Sequence, residues 1–539
     1  MRKRLTTGLA AALLLFGARV HAAICGDADG SGALAINDVV QHLRVVSAID
    51  PAAGLCGGMG YADCANLNGD GAGTTDISDT VLLLQRVSNV RPCQADICLT
   101  EVVHPGCTAS ATPLPNQIHG NYVVPAGCTV RMNNFTFVNA GAVLTLGEGV
   151  TVLGTPWQSP EARLIVKPGG RLNAVGTPMQ PITWTSANPP GARAKADWGG
   201  VVLLGNAPVN EPGISIEGVP DGGFGGTQGD DFSGCMSYNR LSFGGRNFQS
   251  ENAFPLLLLG GVGRTTRIHH IQVHGGGGDG LQWFGGTVNL SCVVASAPGD
   301  DGFDHQLGWV GGLQFGLIAQ RAEDVLFGSN GIEMDNSEFG AANPPRSDGR
   351  YCNVTAIGAR SSAANPGVTN QVGVFSRRGN AMTIANTIVK DFRQAGYQMR
   401  DASTAARACL DPATLNTTSP VGVIRNSLFT DNGADGTTHP LNNSSCDAPG
   451  ECACTTTEHF ALLQAERAVL ATTDPTVEAV GGNTFPPVNL VPPVGSLPDT
   501  HPAADCTAIH PAFVDAPYVG AFEPGGEDWT AGWADYPLN

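Results

Sequence analysis

Four segments between residues 270 and 400 share one local pattern: Asp279-Gly280-Leu281-Gln282-Trp283-Phe284, Asp301-Gly302-Phe303-Asp304-His305-Gln306, Asn330-Gly331-Ile332-Glu333-Met334-Asp335 and Ala395-Gly396-Tyr397-Gln398-Met399-Arg400. Each sets a glycine before an apolar residue and a polar residue after it. The first two start 22 residues apart (279 to 301), and the third follows 29 later (301 to 330). Recurrence at roughly 20–50 residues marks stacked supersecondary units, none of which buries an apolar face alone. Such a chain folds as a solenoid, and equivalent positions of successive coils line up in columns.

The surrounding sequence says which kind of solenoid. Glycine is abundant at 72 residues, and charged residues make up only 14%. Long helical periodicities are nearly absent, whereas short alternating runs end at Gly, Pro or Asn, so the body is mainly β. Residues 143–152 and 164–172 read as two copies of a strand–turn–strand rung, with Leu144 and Leu164 20 residues apart (144 to 164). Further strands are predicted at 182–185 and 200–204. A parallel β-helix over 115–539 follows from stacking such rungs around one core. Residues 401–480 break the rhythm and read as a Cys-containing insertion, with a helix predicted at 458–470. The Pro-rich stretch 486–502 is extended, and the segment holding Trp529 and Trp533 packs back as a C-terminal cap.

The first residues carry a different signal. Arg2, Lys3 and Arg4 precede an apolar run at 9–16 and a small-residue site at 20–22. This predicts a secretory signal peptide over 1–22 and a secreted, extracellular protein, because the apolar run is too short to span a bilayer. No later stretch predicts a membrane span. Export permits disulfides, and the odd total of 15 cysteines leaves at least one unpaired within the chain. The formal net charge of −18 argues against nucleic acid and anionic membranes as partners.

Residues 23–92 form a separate module, joined through a linker or cap at 93–114. Asp27, Asp29, Ser31, Ala33 and Asp38 stand where an EF-hand-type loop places its calcium ligands, with Gly32 at the sharp turn. A second copy offers Asn66, Asn68, Asp70, Asp76 and Asp79, with two extra residues before its last acid. Ca²⁺ is the cofactor these oxygens suit. The doubled loop–helix layout, with Asp at position 12, resembles a dockerin domain. That resemblance implies a small α-helical, Ca²⁺-dependent module and a cohesin-like partner, contacted through Ile36, Asn37, Ile77 and Ser78. A calcium-stapled tether with no partner is the alternative.

Other phrases carry a second resemblance: 197–208 from Asp197-Trp198-Gly199-Gly200 onward, Gly260-Gly261-Val262-Gly263-Arg264, 518–522, and Asp528-Trp529 with Gly532-Trp533. They look like exported bacterial right-handed β-helix proteins, an architecture shared with pectate lyases and polygalacturonases. The resemblance implies fold rather than activity.

Strand alternation sharpens the opening pattern. With Leu281, Phe303, Ile332 and Tyr397 facing inward, Gln282, Asp304, Glu333 and Gln398 face outward, as do Phe284, Gln306, Asp335 and Arg400 two positions on. Rungs lie about 4.7–4.9 Å apart. Asp304 and Glu333 then become adjacent carboxylates with Asp335 beside them, and such proximity raises one pKa. A catalytic set of Asp304, Glu333, Asp335 and Arg400 acting on a polysaccharide, as lyase or glycoside hydrolase, is one expectation. The same acids, with Asp300 and Asp301, suit Ca²⁺ binding, with Arg377, Arg378 or Arg400 as the base of an elimination. The rival is a non-catalytic adhesion, glycan-binding or structural protein whose acids are merely solvated. His270, Gln272 and His274 share an outward face but are too spread to hold one ion. His305 is expected in the core, and Trp198, Trp283 and Trp309 are read as packing rather than as sugar platforms.

Overall fold

The computed structural model describes residues 101–104, 111–157, 160–216, 219–249, 252–324, 329–360, 371–408, 423–432, 454–482 and 484–539. The expected leader, the two expected calcium loops and their candidate ligands Asp27, Asp29, Ser31, Ala33, Asp38, Asn66, Asn68, Asp70, Asp76 and Asp79 lie outside the described residues.

The body is a right-handed parallel β-helix. Among the described residues one sheet holds 18 strands and a second holds 10. The pairings within both are parallel, and a small antiparallel hairpin joins Arg246–Gln249 to Asn252–Phe254. The ten-stranded sheet runs Gln117–Ile118, Phe135–Val138, Arg163–Val166, Val201–Leu204, Leu257–Gly260, Leu281–Phe284, Phe303–Gln306, Ile332–Met334, Val372–Ser376 and Ala395–Met399 in spatial order. Inward residues of these strands, among them Leu164, Leu257, Leu281, Phe303, Ile332 and Tyr397, join one core that runs the length of the stack.

The rung spacing differs from the expected one. Leu144 pairs with Leu172, and Leu164 pairs with Val201 in the other sheet. Early coils contribute three short strands each, so residues 143–152 and 164–172 are not equivalent pieces. Apolar alternation looks the same in all three strands, which is why the 20-residue echo misleads.

Later coils fuse two of these strands into one bent at a left-handed residue. Tyr238, His270, Cys292, Phe315, Asn353, Asn386, Asn426 and Ala468 all have φ near +50 to +61° and stack in register, coil upon coil. Asparagine tolerates this region better than other non-glycine residues, and three of the eight are Asn. Their side chains point outward and donate to the C-terminal segment: Asn353 to Tyr518 O (2.8 Å), Asn386 to Ala504 O (2.9 Å) and Asn426 to Pro502 O (2.9 Å). The Cys352–Cys506 disulfide ties the same segment to the stack. Trp533 is buried against Val294, Leu317 and Phe522 on this flank. Cys292 is a free thiol.

The repeated glycines of the opening pattern have a steric cause. Gly280, Gly302, Gly331, Gly373 and Gly396 form one column, and a Cβ at Gly302 would lie 2.8 Å from Gly331 O and 2.7 Å from Ile318. At Gly331 it would lie 2.5 Å from Gly373 O. Only glycine lets the coils approach this closely at the corner.

Within 401–480, strands Val423–Arg425, Ser427–Thr430 and Val469–Ala471 continue the stack. The helix expected at 458–470 spans Thr456–Glu466 instead, and residues 469–471 form a rung. A capping box starts it: Thr455 Oγ1 accepts from Glu458 N, and Glu458 accepts from Thr455 N. Among the described residues no helix is long and apolar enough to cross a membrane.

Candidate functional site

The outer face of the ten-stranded sheet carries two polar columns. One reads Leu258, Gln282, Asp304, Glu333, Phe375 and Gln398. Asp304 and Glu333 therefore face each other across adjacent rungs. The irregular 29-residue step does not shift the register. Six of its seven extra residues lie between strand Gly312–Ala319 and strand Ile332–Met334 and the seventh before Gly312, all outside the rungs.

The neighbouring column departs from expectation. Gln398 and Arg400 do not follow Glu333 and Asp335, because strand Val372–Ser376 intervenes. Phe375 occupies the outward position opposite Glu333. Arg377, whose N–H reaches Met334 O, occupies the one beside Asp335, and Arg400 lies a coil further, with its N–H on Ser376 O. The intervening rung was missed because its outward residue is aromatic, so Gly373-Val374-Phe375 does not echo Gly-apolar-polar.

The ladder is buried rather than solvated. Asp304, Glu333 and Asp335 are 6%, 8% and 1% exposed. Arg377 organises them: its Nε donates to Asp335 at 2.8 and 3.0 Å, and its Nη2 pairs with Glu333 Oε1. Arg378 Nη1 donates to Asp335 Oδ2 at 2.8 Å. Glu333 Oε2 accepts from Asn330 Nδ2 at 2.8 Å. Asp304 Oδ2 accepts from Gln282 Nε2 at 2.5 Å, while Oδ1 is buried without a hydrogen-bond partner among the described residues. Burial, reinforced by Glu333 and Asp335, holds the Asp304 carboxyl well above the usual carboxylate range. Burial also lifts Glu333 to about 7, against the pull of Arg377.

Arg400 differs from its neighbours. It is exposed, packs over the Phe375 ring at 4.8 Å, and forms no carboxylate ion pair among the described residues. Partial burial and the nearby Arg377 push its guanidinium below the ordinary value. Asp300, Arg377, Arg378 and Arg400 are the members of the group that reach solvent.

At the corner before these strands stand Asp279, Asp300 and Asp301, each offering an oxygen within 4.8 Å of the others. Asp279 Oδ1 accepts from Asp301 N at 3.0 Å, and Asp301 Oδ1 accepts from Asn330 N, so two of the three also bind coil to coil. Burial raises all three pKa values, Asp300 to about 6, and for Asp279 and Asp301 the neighbouring acids add to it. Carboxylates crowded and buried in this way are stabilised by protons or by a cation. An oxygen-only set suits a hard cation such as Ca²⁺.

His270 lies in the left-handed column and stacks on Tyr238 at 4.4 Å. Gln272 and His274 contact the C-terminal backbone at Asp535 O and Pro537 O, so all three serve that flank. His305 is buried in the core, with Nδ1 2.8 Å from Tyr351 OH. Trp198, Trp283 and Trp309 are buried. What the sequence did not single out is Arg377 as the bridge between Glu333 and Asp335; the adjacent pair Arg377-Arg378 was the available signal.

The fold and this acid-lined outer sheet define a parallel β-helix of the kind built around a ladder on one face. Residues 117–460 match the pectate-lyase-like β-helix domain family, and the chain belongs to that family. No curated protein matches the chain. Among solved structures, a mutant of the periplasmic alginate epimerase AlgG is similar at 8% identity and a TM-score of 0.31, over 62% of this chain and 74% of that one.

Proposed function

We propose that this protein is an exported, polysaccharide-acting enzyme that cleaves an acidic glycan by elimination on the outer face of its ten-stranded sheet. The observation that carries the reading is the juxtaposition of buried, high-pKa carboxylates with an exposed, unpaired Arg400. Family membership supports a polysaccharide as substrate. A Ca²⁺ held by Asp279, Asp300 and Asp301 would neutralise the uronate carboxylate and acidify the proton on the adjacent carbon. Arg400, depressed below its usual pKa, accepts that proton. The C4–O glycosidic bond breaks as the C4–C5 double bond forms. Glu333, protonated near neutrality, gives its proton to the leaving oxygen. Burial keeps Glu333 protonated, with like-charge repulsion from Asp335 and Asp300 adding to it, and Asp304 faces it from the adjacent rung. Asp335 anchors Arg377 and Arg378 and acts as a positioning residue.

The in-register pairing of Asp304 with Glu333 favours one other reading, a glycoside hydrolase using this acid pair. The dockerin-like module and its two calcium loops are proposed to tether the enzyme, through a cohesin-like partner, to a larger extracellular assembly. The test is a panel of polygalacturonate, alginate and a neutral glucan, each with calcium or a chelator, read for new reducing ends. Calcium-dependent cleavage confined to the acidic glycans is expected, and it should be lost in Asp304→Asn. Cleavage of the neutral glucan alone, or none on any substrate, overturns the reading.

A further inference from the structure

A second polar site lies one corner away from the acid ladder. A cavity of about 190 Å³ is lined by Arg193, Lys195, His274, Arg321, Asp324 and Leu538. Three cationic side chains face it against one carboxylate. Asp324 is shared: its carboxylate lies 3.5 Å from Lys195 Nζ and 3.2 Å from Arg321 Nη1. Glu323 takes a second arm of Arg321 at 3.2 Å. Arg193 forms no ion pair among the described residues, although Asp197 acts on it from further away, and its Nε donates to Asn188 O at 3.1 Å. Lys195 Nζ also donates to Asp324 O at 2.8 Å. His274 adds no charge, because burial lowers its pKa and its nitrogens meet Ser296 Oγ and Pro537 O. Burial lowers Lys195 to about 8, against the pull of Asp324.

Arg193, Lys195 and Arg321 thus outnumber the acids that ion-pair with them, Asp324 and Glu323, and the lining is only part polar. Phe243 and Leu538 give it apolar walls. Its volume falls below the roughly 300–1,000 Å³ of drug-sized pockets, which suits one ring with one acidic group. It also adjoins the ladder along the chain. Ala297 lines it, Lys195 Nζ reaches Pro298 O, and Asp300 and Asp301 follow in the same turn.

We infer that this cavity is a binding subsite for the carboxylate of a single uronate residue, held by Arg193, Lys195 and Arg321. It rests on the acidic-glycan reading above and extends it to a second point of contact. A guanidinium fork is matched to a carboxylate, and charge-assisted hydrogen bonds of this kind are strong in a partly dry site.

The test uses the full chain and isothermal titration with D-galacturonate, D-galactose and inorganic sulfate. The proteins are wild type, Arg193→Gln, Arg321→Gln, Arg400→Gln and the exposed surface control Arg264→Gln, each checked by melting temperature. Galacturonate should bind wild type and Arg264→Gln alike and galactose should not bind. Arg193→Gln should weaken galacturonate by tenfold or more at an unchanged melting temperature. Should Arg321→Gln unfold, Arg193→Gln alone decides. Unaltered binding in Arg193→Gln overturns the inference, as does binding lost only in Arg400→Gln, which would place the sugar at the ladder. Sulfate binding as tightly as galacturonate overturns the sugar-acid assignment. Because turnover on polymer is scored separately, failure here leaves the elimination reading standing, and failure of that reading leaves this binding measurable.

Discussion

One outer column of the ten-stranded sheet changes character halfway along. Its first stretch is Phe137, Ile165, Val202 and Leu258; its second is Gln282, Asp304 and Glu333. The backbone is the same parallel ladder throughout. The apolar stretch is sealed by Val209, Ile216, Val219 and Phe224 from the loop that follows strand Val201–Leu204. The polar stretch is closed by ion pairs through Arg377 and Arg378. The first arrangement gains stability by removing apolar area from water. The second buries charge, which costs free energy unless every partner is present. A face that keeps buried acids where greasy residues would fit is a face shaped by something other than stability.

The largest expected effect falls on the polar side. Arg377→Ala leaves Glu333 and Asp335 without their main counter-charge and should cost about 3–5 kcal/mol in denaturant unfolding. Arg377→Ala with Glu333→Gln should recover part of it; an additive double mutant would contradict the network. On the apolar side, Leu258→Ala should cost about 2–5 kcal/mol and leave turnover per folded molecule unchanged. Loss of turnover there would mean that the two stretches are not functionally separate.

A smaller effect distinguishes the two by pH. Glu333 stands at about 7 in the fold against 4.5 ordinarily. Between those values the folded chain holds more protons than the unfolded one, so stability is fully present at acid pH and declines as pH rises through that window. The melting temperature of the calcium-free protein should fall from pH 5 to pH 8, and Glu333→Gln should flatten the decline. A rise over that range would contradict the assignment. The smallest effect should come from Gln282→Leu, which extends the apolar stretch by one rung. It removes a hydrogen bond to Asp304 and should shift stability by about 1 kcal/mol.

Much of this architecture is legible in the sequence, and the illegible parts have physical reasons. The glycine column and the alternation around Leu281, Phe303 and Ile332 announce the coils, because glycine is required at the close corner and apolar residues fill the core. The pairing of Asp304 with Glu333 follows from the same alternation. Strand Val372–Ser376 was hidden because Phe375 breaks the polar echo, and this displaced Gln398 and Arg400 by one coil. The burial of the acids was equally hidden: a polar residue pointing away from the core reads as solvated until the arginines that cover it are placed. The left-handed column was invisible because its members, Tyr238 to Ala468, share a backbone angle and a register while only three of the eight are Asn.

The central claim is that the polar stretch performs elimination with Arg400 as base. The most direct measurement is the absorbance of unsaturated uronate released from polygalacturonate at fixed calcium by wild type and by Arg400→Gln. The account predicts steady accumulation by the wild type and a loss of 100-fold or more (roughly 10²–10⁴ for a general base) in Arg400→Gln, with its melting temperature retained. Saturated reducing ends, produced equally by both proteins, would contradict it.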